Sequence, residues 1–397
     1  MATRLPPLRL KKNEDRRLRA GHLWVFSNEV DVSHTPLTDF GPGDAVEIQD
    51  FRGAPLGAGY VNPRSLIAAR LVSRDASRPL DGALLRQRLA RALALRERIF
   101  PGPFYRLAFG EGDGLPGLVV DRFGEMVVAQ LTTAGVDRLR DEVLAALEEV
   151  VAPRGILLRN DIPGRALEGL PQYVETARGE VPDRVELEEN GVRFRAAAVQ
   201  GQKTGWFYDH RMNRARLAAY ARGKRVLDVF SYVGGWGVQA AAKGAEEVLC
   251  VDASESALEQ VQENAALNGV EERVRTRKGD AFEVLRALAT EGERFDVVVL
   301  DPPAFIKRKK DQQAGEEAYR RIAQMGMEVL APDGILVSAS CSFHMSREML
   351  RDAALKASRR AGRDLQLLEE GHQGPDHPVH PAIPETSYLK AFIARVA

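Results

Sequence analysis

The order of apolar and polar positions changes character twice along the chain. Up to residue 75, short alternating runs (DAVEIQDF, 44–51; LIAARLVS, 66–73) are broken by GPGD, RGAPLGAG and NPRS, which predicts a small module of strands and tight turns. LDGALLRQRLARALALRER, residues 80–98, has leucines at helical spacing and no Gly or Pro after Gly82, so a helix is expected. A Gly-punctuated pair of strands (109–131), a helix over VDRLRDEVLAALEEVV (136–151) and a strand at GILLRND (155–161) follow. They make an α+β middle region that ends near residue 190. From about residue 195 strands and helices alternate. RVLDVF, EVLCVD, RVRTRKGD, FDVVVLD and GILVSAS read as strands, and the segments between them have helical composition. Such alternation predicts an α/β fold, a parallel sheet with helices on both faces. The domains expected are residues 1–75, 76–192 and 193–397.

A chain of 397 residues exceeds one ordinary core, in keeping with several domains. No apolar run approaches the roughly 20 residues that span a bilayer. The N-terminus, MATRLPPLRLKKNEDRR, lacks the apolar stretch of a signal peptide. Two cysteines, at 250 and 341, make neither a disulfide framework nor a zinc pattern, so a cytoplasmic setting and no metal are expected. Formal net charge is zero but unevenly spread. Residues 1–25 hold seven Lys or Arg against two acids, and residues 203–225 hold seven against Asp209 alone. Clusters of this kind suit a phosphate backbone; the plainer alternative is a solvated surface.

In a parallel sheet, ligands bind beyond the carboxyl ends of the strands. The first ends in LDVFSYVGGWGVQAA, where Gly235-x-Gly237-x-x-Ala240 fits a weak dinucleotide fingerprint. That fingerprint wants its first glycine directly after the strand, whereas SYV intervenes here, and Asp228 would repel a pyrophosphate. S-adenosylmethionine carries no phosphate and two cationic centres, so it suits a carboxylate. Asp252, ending the second strand, is placed to accept ribose hydroxyls, and Asp280, after the third, to accept from an adenine amine. Each acid alone could be a helix N-cap; three at successive strand ends favour a nucleoside ligand. The fourth strand ends in LDPPAF, whose prolines stiffen the turn holding Asp301. Amine methyltransferases often carry an aromatic directly after the two prolines, and here Ala304 precedes Phe305. IKRKKD, residues 306–311, adds a basic run. The fifth strand ends in SASCSF. Cys250 lies within a strand and reads as a small buried hydrophobe, while Cys341 emerges on the ligand edge. A thiol is the natural nucleophile for an electron-poor ring carbon. Addition at carbon 6 of a pyrimidine is what makes its carbon 5 reactive enough to take a methyl group.

These stretches resemble, over nearly the full chain, the RlmI-like 23S rRNA cytosine-5 methyltransferases. LRLKKNEDRRLRAGHLWVFSNEV resembles that family's N-terminal PUA-like β-barrel, an RNA-binding module, and FGEGDGLPGLVVDRFG its middle domain. GQKTGWFYDHRMNR, DVFSYVGGWGVQAA, DPPAF, SCSFHMS and DHPVHPAIPETSYLK resemble its Rossmann-like class I methyltransferase motifs. The resemblance implies Cys341 as catalytic nucleophile and Asp301 as the acid that holds the target cytosine. It implies Lys203, Thr204, Gly205, Asp209 and Arg211 around the methionine end of S-adenosylmethionine, and Asp228, Phe230, Tyr232, Gly234, Asp252, Ser254, Asp280 and Asp301 in the remaining cofactor motifs. The partner implied is 23S ribosomal RNA, with no membrane involved and with room for a homodimer. Two departures stand out: Val233 where the family usually has Thr, and Ala304 where it often has Lys. Rival readings are an exocyclic-amine RNA methyltransferase with a structural Cys341, a uridine-directed enzyme, and a non-catalytic RNA-binding assembly factor.

Overall fold

The computed structural model describes residues 5–199, 201 and 204–397. The N-terminal strand-and-turn pattern becomes β1 (Pro7–Arg9), a single-turn helix α1 (Arg16–Arg19), β2 (Trp24–Phe26), β3 (Asp44–Gln49), β4 (Pro55–Val61) and β5 (Ile67–Ser73). They form one sheet in the order β1-β3-β4-β5-β2 over a core that includes Leu8, Val25, Ile48, Val61 and Leu71. The leucine-rich stretch is helix α2 (Gly82–Ile99), capped by the Asp81 carboxylate, which accepts from Leu84 N–H. Next come β6 (Phe104–Phe109), β7 (Leu118–Phe123), β8 (Met126–Leu131), α3 (Ala134–Arg138), α4 (Arg140–Val151), β9 (Gly155–Arg159), a short α5 (Gly164–Leu167) and β10 (Val174–Gly179). The helix expected over 136–151 is thus broken at Leu139. This second sheet runs β10-β9-β8-β7-β6. Tyr60 and Val72 of the first sheet enter its core, and the buried Glu168 carboxylate accepts from Asn62, Ser65 and Arg70. The two N-terminal sheets are therefore packed together within one unit (residues 1–185, 197–206 and 375–386).

A second unit comprises residues 186–196, 207–374 and 387–397. Most of the hairpin of β11 (Arg184–Glu189) and β12 (Val192–Ala197) belongs to it, as do α6 (Arg211–Ala221), β13 (Arg225–Val229), α7 (Gly237–Ala242) and β14 (Glu247–Asp252). The chain continues through α8 (Glu255–Leu267), β15 (Val274–Lys278), α9 (Ala281–Thr290), β16 (Phe295–Leu300), α10 (Gln312–Glu328), β17 (Leu330–Ser340), α11 (Arg347–Arg360), β18 (Leu365–Gly371) and β19 (Lys390–Val396). The seven-stranded sheet runs β15-β14-β13-β16-β17-β19-β18. Its first five strands are parallel, as the alternation predicts. The edge departs from that expectation, because β19 inserts antiparallel between β17 and β18. The order in which the chain adds strands reverses between β13 and β16, and at such a switch point a crevice opens at the carboxyl ends. The larger core lies on one face, where Val284, Leu288, Ile322, Met327 and Ala357 cover Leu227, Val229, Val251 and Val298.

On the opposite face α7 starts so close to the sheet that only glycine fits. A Cβ on Gly237 would lie 2.5 Å from Cys250 Sγ and 3.1 Å from Asp228 Oδ2. Gly237→Ala is expected to cost about 2 kcal/mol through overpacking, read as a lower urea midpoint with an unchanged slope.

Candidate active site

Because β13 to β17 are parallel, the residues after each of them share one edge. Phe230, Asp252, Asp280, Asp301 and Cys341 all fall there. The turn after β13 is strained. Phe230 and Tyr232 both take left-handed backbone angles (φ +66° and +49°), a conformation that costs bulky residues free energy and recurs at functional sites. Gly234 follows at φ +86°. Asp252 holds this turn in place: its Oδ2 accepts from Tyr232 N–H at 2.9 Å and its Oδ1 from Ser254 N–H at 2.9 Å. The carboxylate remains partly exposed, with lone pairs to spare. Ser254 caps α8 and Asp280 caps α9, so the structural role weighed for an acid at a strand end is realised at Asp280. Val233 is fully buried, so a hydroxyl at this position would face the core.

Asp228 behaves differently from its neighbours. It is wholly enclosed, Oδ2 accepting from Gly237 N–H at 2.8 Å while Oδ1 has no partner. Burial pushes its carboxyl up to about 7, partly countered by the Gly237 bond and reinforced by the Asp301 charge. The contact with Gly237 also bears on the ligand, since a pyrophosphate needs the N–H groups at this helix start and Asp228 already takes one. A donor set of partly exposed carboxylates and a strained turn fits a cationic, hydroxyl-bearing nucleoside better than a dinucleotide. A carboxyl titrating near 7 in the folded chain and near 3.9 in the unfolded one makes the folded state the better proton binder between those values. Stability conferred by this group therefore falls as pH rises from about 4 to 7. Asp228→Asn is expected to flatten that slope, and urea unfolding of both forms at pH 5 and 7.5 measures it.

Asp301 is gripped from two sides. His210 Nε2 lies 3.2 Å from its Oδ1, and Trp236 Nε1 donates to its Oδ2 at 3.0 Å. Burial would raise this carboxyl, but the His210 charge and contact, with the Trp236 N–H and the Arg214 charge, outweigh it and hold it below the usual range. Asn213 in turn contacts His210 Nδ1 at 3.1 Å. Neither His210 nor Trp236 is singled out by sequence reasoning, although both lie inside motifs quoted above. Phe305, two residues after the prolines, is half-buried and packs 4.9 Å from Tyr319 and 6.3 Å from Phe230 and Phe282.

At SASCSF the flanking serines are scaffold. Ser340 Oγ donates to Tyr319 Oη at 2.8 Å, Tyr319 Oη lies 2.9 Å from Ser342 Oγ, and Ser342 Oγ accepts from Ile306 N–H. One buried hydroxyl cluster thereby ties α10, the segment after DPPAF and the end of β17. Between the two buried serines, Cys341 stays partly exposed. Cys250 is fully buried, and burial pushes its thiol up. The sheet thus offers two thiols of opposite character.

Lys203 lies outside the described residues. Thr204 and Gly205 belong to the first unit, where Thr204 is buried and Gly205 takes φ +103°. Asp209 accepts from the Tyr388 hydroxyl at 2.6 Å. Arg211 is buried against Glu189 (3.6 Å), whose other oxygen accepts from Arg214 and Gln239 at 2.8 Å each. The basic cluster of 203–225 is accordingly not a free phosphate-binding face. Arg211 and Arg214 are enclosed on Glu189, Arg216 pairs with Glu369, and Arg225 with Glu247 and Glu293. The run Lys307–Lys310, beside DPPAF, is exposed. Among the described residues no helix is long and apolar enough to cross a membrane.

Comparison with known proteins agrees with this geometry. Residues 171–395 match the model of an S-adenosylmethionine-dependent methyltransferase family, and residues 8–74 match that of a PUA-like domain. The chain is 36% identical over 396 residues to ribosomal RNA large subunit methyltransferase I of Shewanella frigidimarina, covering 98% of this chain and 99% of that protein. A relative of the same name from Tolumonas auensis is 37% identical over 393 residues, covering 97% and 98%. Among solved structures, SMU.776 complexed with SAH superposes with a TM-score of 0.84 at 21% identity, covering 98% of this chain and 100% of that one. Trm5b from Pyrococcus abyssi superposes at 0.54 and 18% identity, covering 70% and 74%. At these identities the structural likenesses speak to fold alone.

Proposed function

The chain belongs to the S-adenosylmethionine-dependent methyltransferase family, and from that premise we propose that it methylates carbon 5 of a cytosine in 23S ribosomal RNA through a covalent adduct with Cys341. Its relatives' names carry the coarser part, an rRNA methyltransferase of the large subunit. One observation carries the finer part: the partly exposed thiol and the clamped Asp301 follow adjoining parallel strands on one edge.

Bound S-adenosylmethionine supplies an electrophilic methyl group. Asp252 and Asp280 are the candidates for its nucleoside hydroxyls and amine, and the Phe230–Gly234 turn shapes the space between. Asp228, enclosed beneath α7, acts by holding the Gly237 turn. Lys203, Thr204, Gly205, Asp209 and Arg211 are assigned to its methionine end through the motif they share with the family.

The target base must leave its stack, since carbon 6 is out of reach within a paired helix. Asp301 then accepts from the exocyclic amine, a contact that a uracil cannot offer. Cys341 Sγ, as thiolate, forms a bond to carbon 6 and the ring electrons shift to carbon 5. Carbon 5 takes the methyl group as the methyl–sulfonium bond breaks and the neutral thioether leaves; carbon 5 then gives its proton to water, and the electron pair left behind restores the ring double bond and expels Sγ. The exposed Lys307–Lys310 run and the PUA-like module supply contacts to the RNA backbone. Ala304, where amine-directed enzymes often carry an aromatic directly after the two prolines, speaks against the amine-directed rival.

Mass mapping of rRNA from a strain lacking the protein, before and after incubation with purified protein and S-adenosylmethionine, tests the reading. Fragmentation locating the added methyl on carbon 5 of one cytosine is the expected result. A methyl on an exocyclic nitrogen would remove the proposal.

A further inference from the structure

Strand β19 brings one more group to this edge. Its register against β17 sets Lys390 opposite Ser340, the residue before Cys341. A lysine at a strand end ordinarily carries its ammonium out to water. Lys390 instead is 6% exposed, and its Nζ donates to Ser342 O at 2.6 Å and Tyr388 O at 2.8 Å. It is therefore held at the carbonyl immediately following the thiol residue. Among the described residues no carboxylate forms an ion pair with it. A buried cation without an acid partner calls for another anion, and Cys341, the residue before the Ser342 carbonyl that holds Nζ, is able to become one.

We propose that Lys390 is a positioning residue for Cys341: its enclosed ammonium, anchored on the Ser342 and Tyr388 carbonyls, is the counter-charge that keeps the thiol ionised at neutral pH. The purpose of this device rests on the reading of Cys341 as nucleophile; its test does not.

Tyr319, from α10, is pushed up by burial and so stays neutral, its hydroxyl shared with Ser340 and Ser342. Arg347, from α11, adds a second positive charge and is itself 3.4 Å from Glu370 of β18. The Tyr388 hydroxyl is spent on Asp209. Burial pulls the Lys390 ammonium down to about 8, with the Cys341 charge opposing and Arg347 adding to the fall. A cation beside a thiol lowers the pH at which thiolate forms, so the benefit is present on the acid side and is lost as pH rises past about 8.

The pH dependence of iodoacetamide alkylation on the full chain, without RNA or cofactor, reads thiolate formation directly. Cys250 is buried and unreactive, and a Cys341→Ser sample provides the blank. The wild-type midpoint is expected below the ordinary thiol value of about 8.5. Lys390→Met and Lys390→Gln should raise it by about one pH unit, a roughly 10-fold loss of thiolate at pH 7, while Lys390→Arg should hold it near wild type. Should the Met variant fail to fold by circular dichroism, the Gln variant and the wild-type midpoint still decide. A wild-type midpoint at or above 8.5, or neutral variants that leave it unmoved, would overturn the role of Lys390 even where Cys341→Ser abolishes methylation. Methylation surviving in Cys341→Ser would instead remove the nucleophile, whatever the alkylation curve.

Discussion

Cys341→Ser is expected to lower methyl transfer to rRNA by at least about 1,000-fold, with S-adenosylmethionine affinity within about two-fold of wild type. The substitution changes one atom and preserves the shape of the loop, so the loss reports chemistry more than folding. A serine hydroxyl in this position is essentially never an anion at neutral pH, whereas a thiol is within reach of ionisation. No neighbour can take over. The Ser340 and Ser342 hydroxyls are committed to Tyr319, and Cys250 is buried under Gly237. A substrate with 5-fluorocytosine at the target sharpens the test, because fluorine cannot leave as a proton does and the adduct at carbon 6 should accumulate. Wild type should form a denaturation-resistant protein–RNA complex that Cys341→Ser does not. Transfer within 10-fold of wild type in the variant would return the amine-directed rival to the front.

Cys341 was legible in the sequence because an apolar run ending at a thiol, in a chain of strand–helix alternation, fixes the edge on which that thiol emerges. The five parallel strands and the acids at their ends were legible for the same local reason. What surrounds them was not. KAFIARV is apolar enough to be a strand, but nothing local in it says that it enters antiparallel between β17 and β18. Its lysine consequently reads as a solvated strand end, and its burial is decided by carbonyls 48 and two residues away. The basic run of 203–225 misleads in the opposite sense. Glu189, which neutralises Arg211 and Arg214, lies upstream in the β11–β12 hairpin, and the partners of Arg216 and Arg225 are 153 and 22 to 68 residues distant. One-dimensional charge clustering overestimates the free basic surface whenever such acids return in space.

Asp301→Asn is expected to lower kcat for methyl transfer by about 100-fold, the cost of losing one charged hydrogen bond and misplacing its partners. The argument turns on what the two flanking groups can accept. Trp236 Nε1 is a donor only, so the amide oxygen of the variant must face it and the amide nitrogen must face His210 Nε2. That sets the amide N–H against the Nε2–H of the imidazolium whose charge holds Asp301 down, two donors opposed. The side chain cannot satisfy both sides, and it no longer offers an anion to the exocyclic amine of the base. Asp301→Glu keeps the charge but pushes it forward by one methylene, and should lose comparable rate with a smaller effect on the His210 contact. Cofactor affinity, measured by calorimetry without RNA, separates the two roles assigned to this acid. If binding of S-adenosylmethionine weakens as much as kcat falls, Asp301 serves the cofactor and not the base. If binding holds while transfer falls, the carboxylate clamped by His210 and Trp236 is the group that presents the cytosine to Cys341.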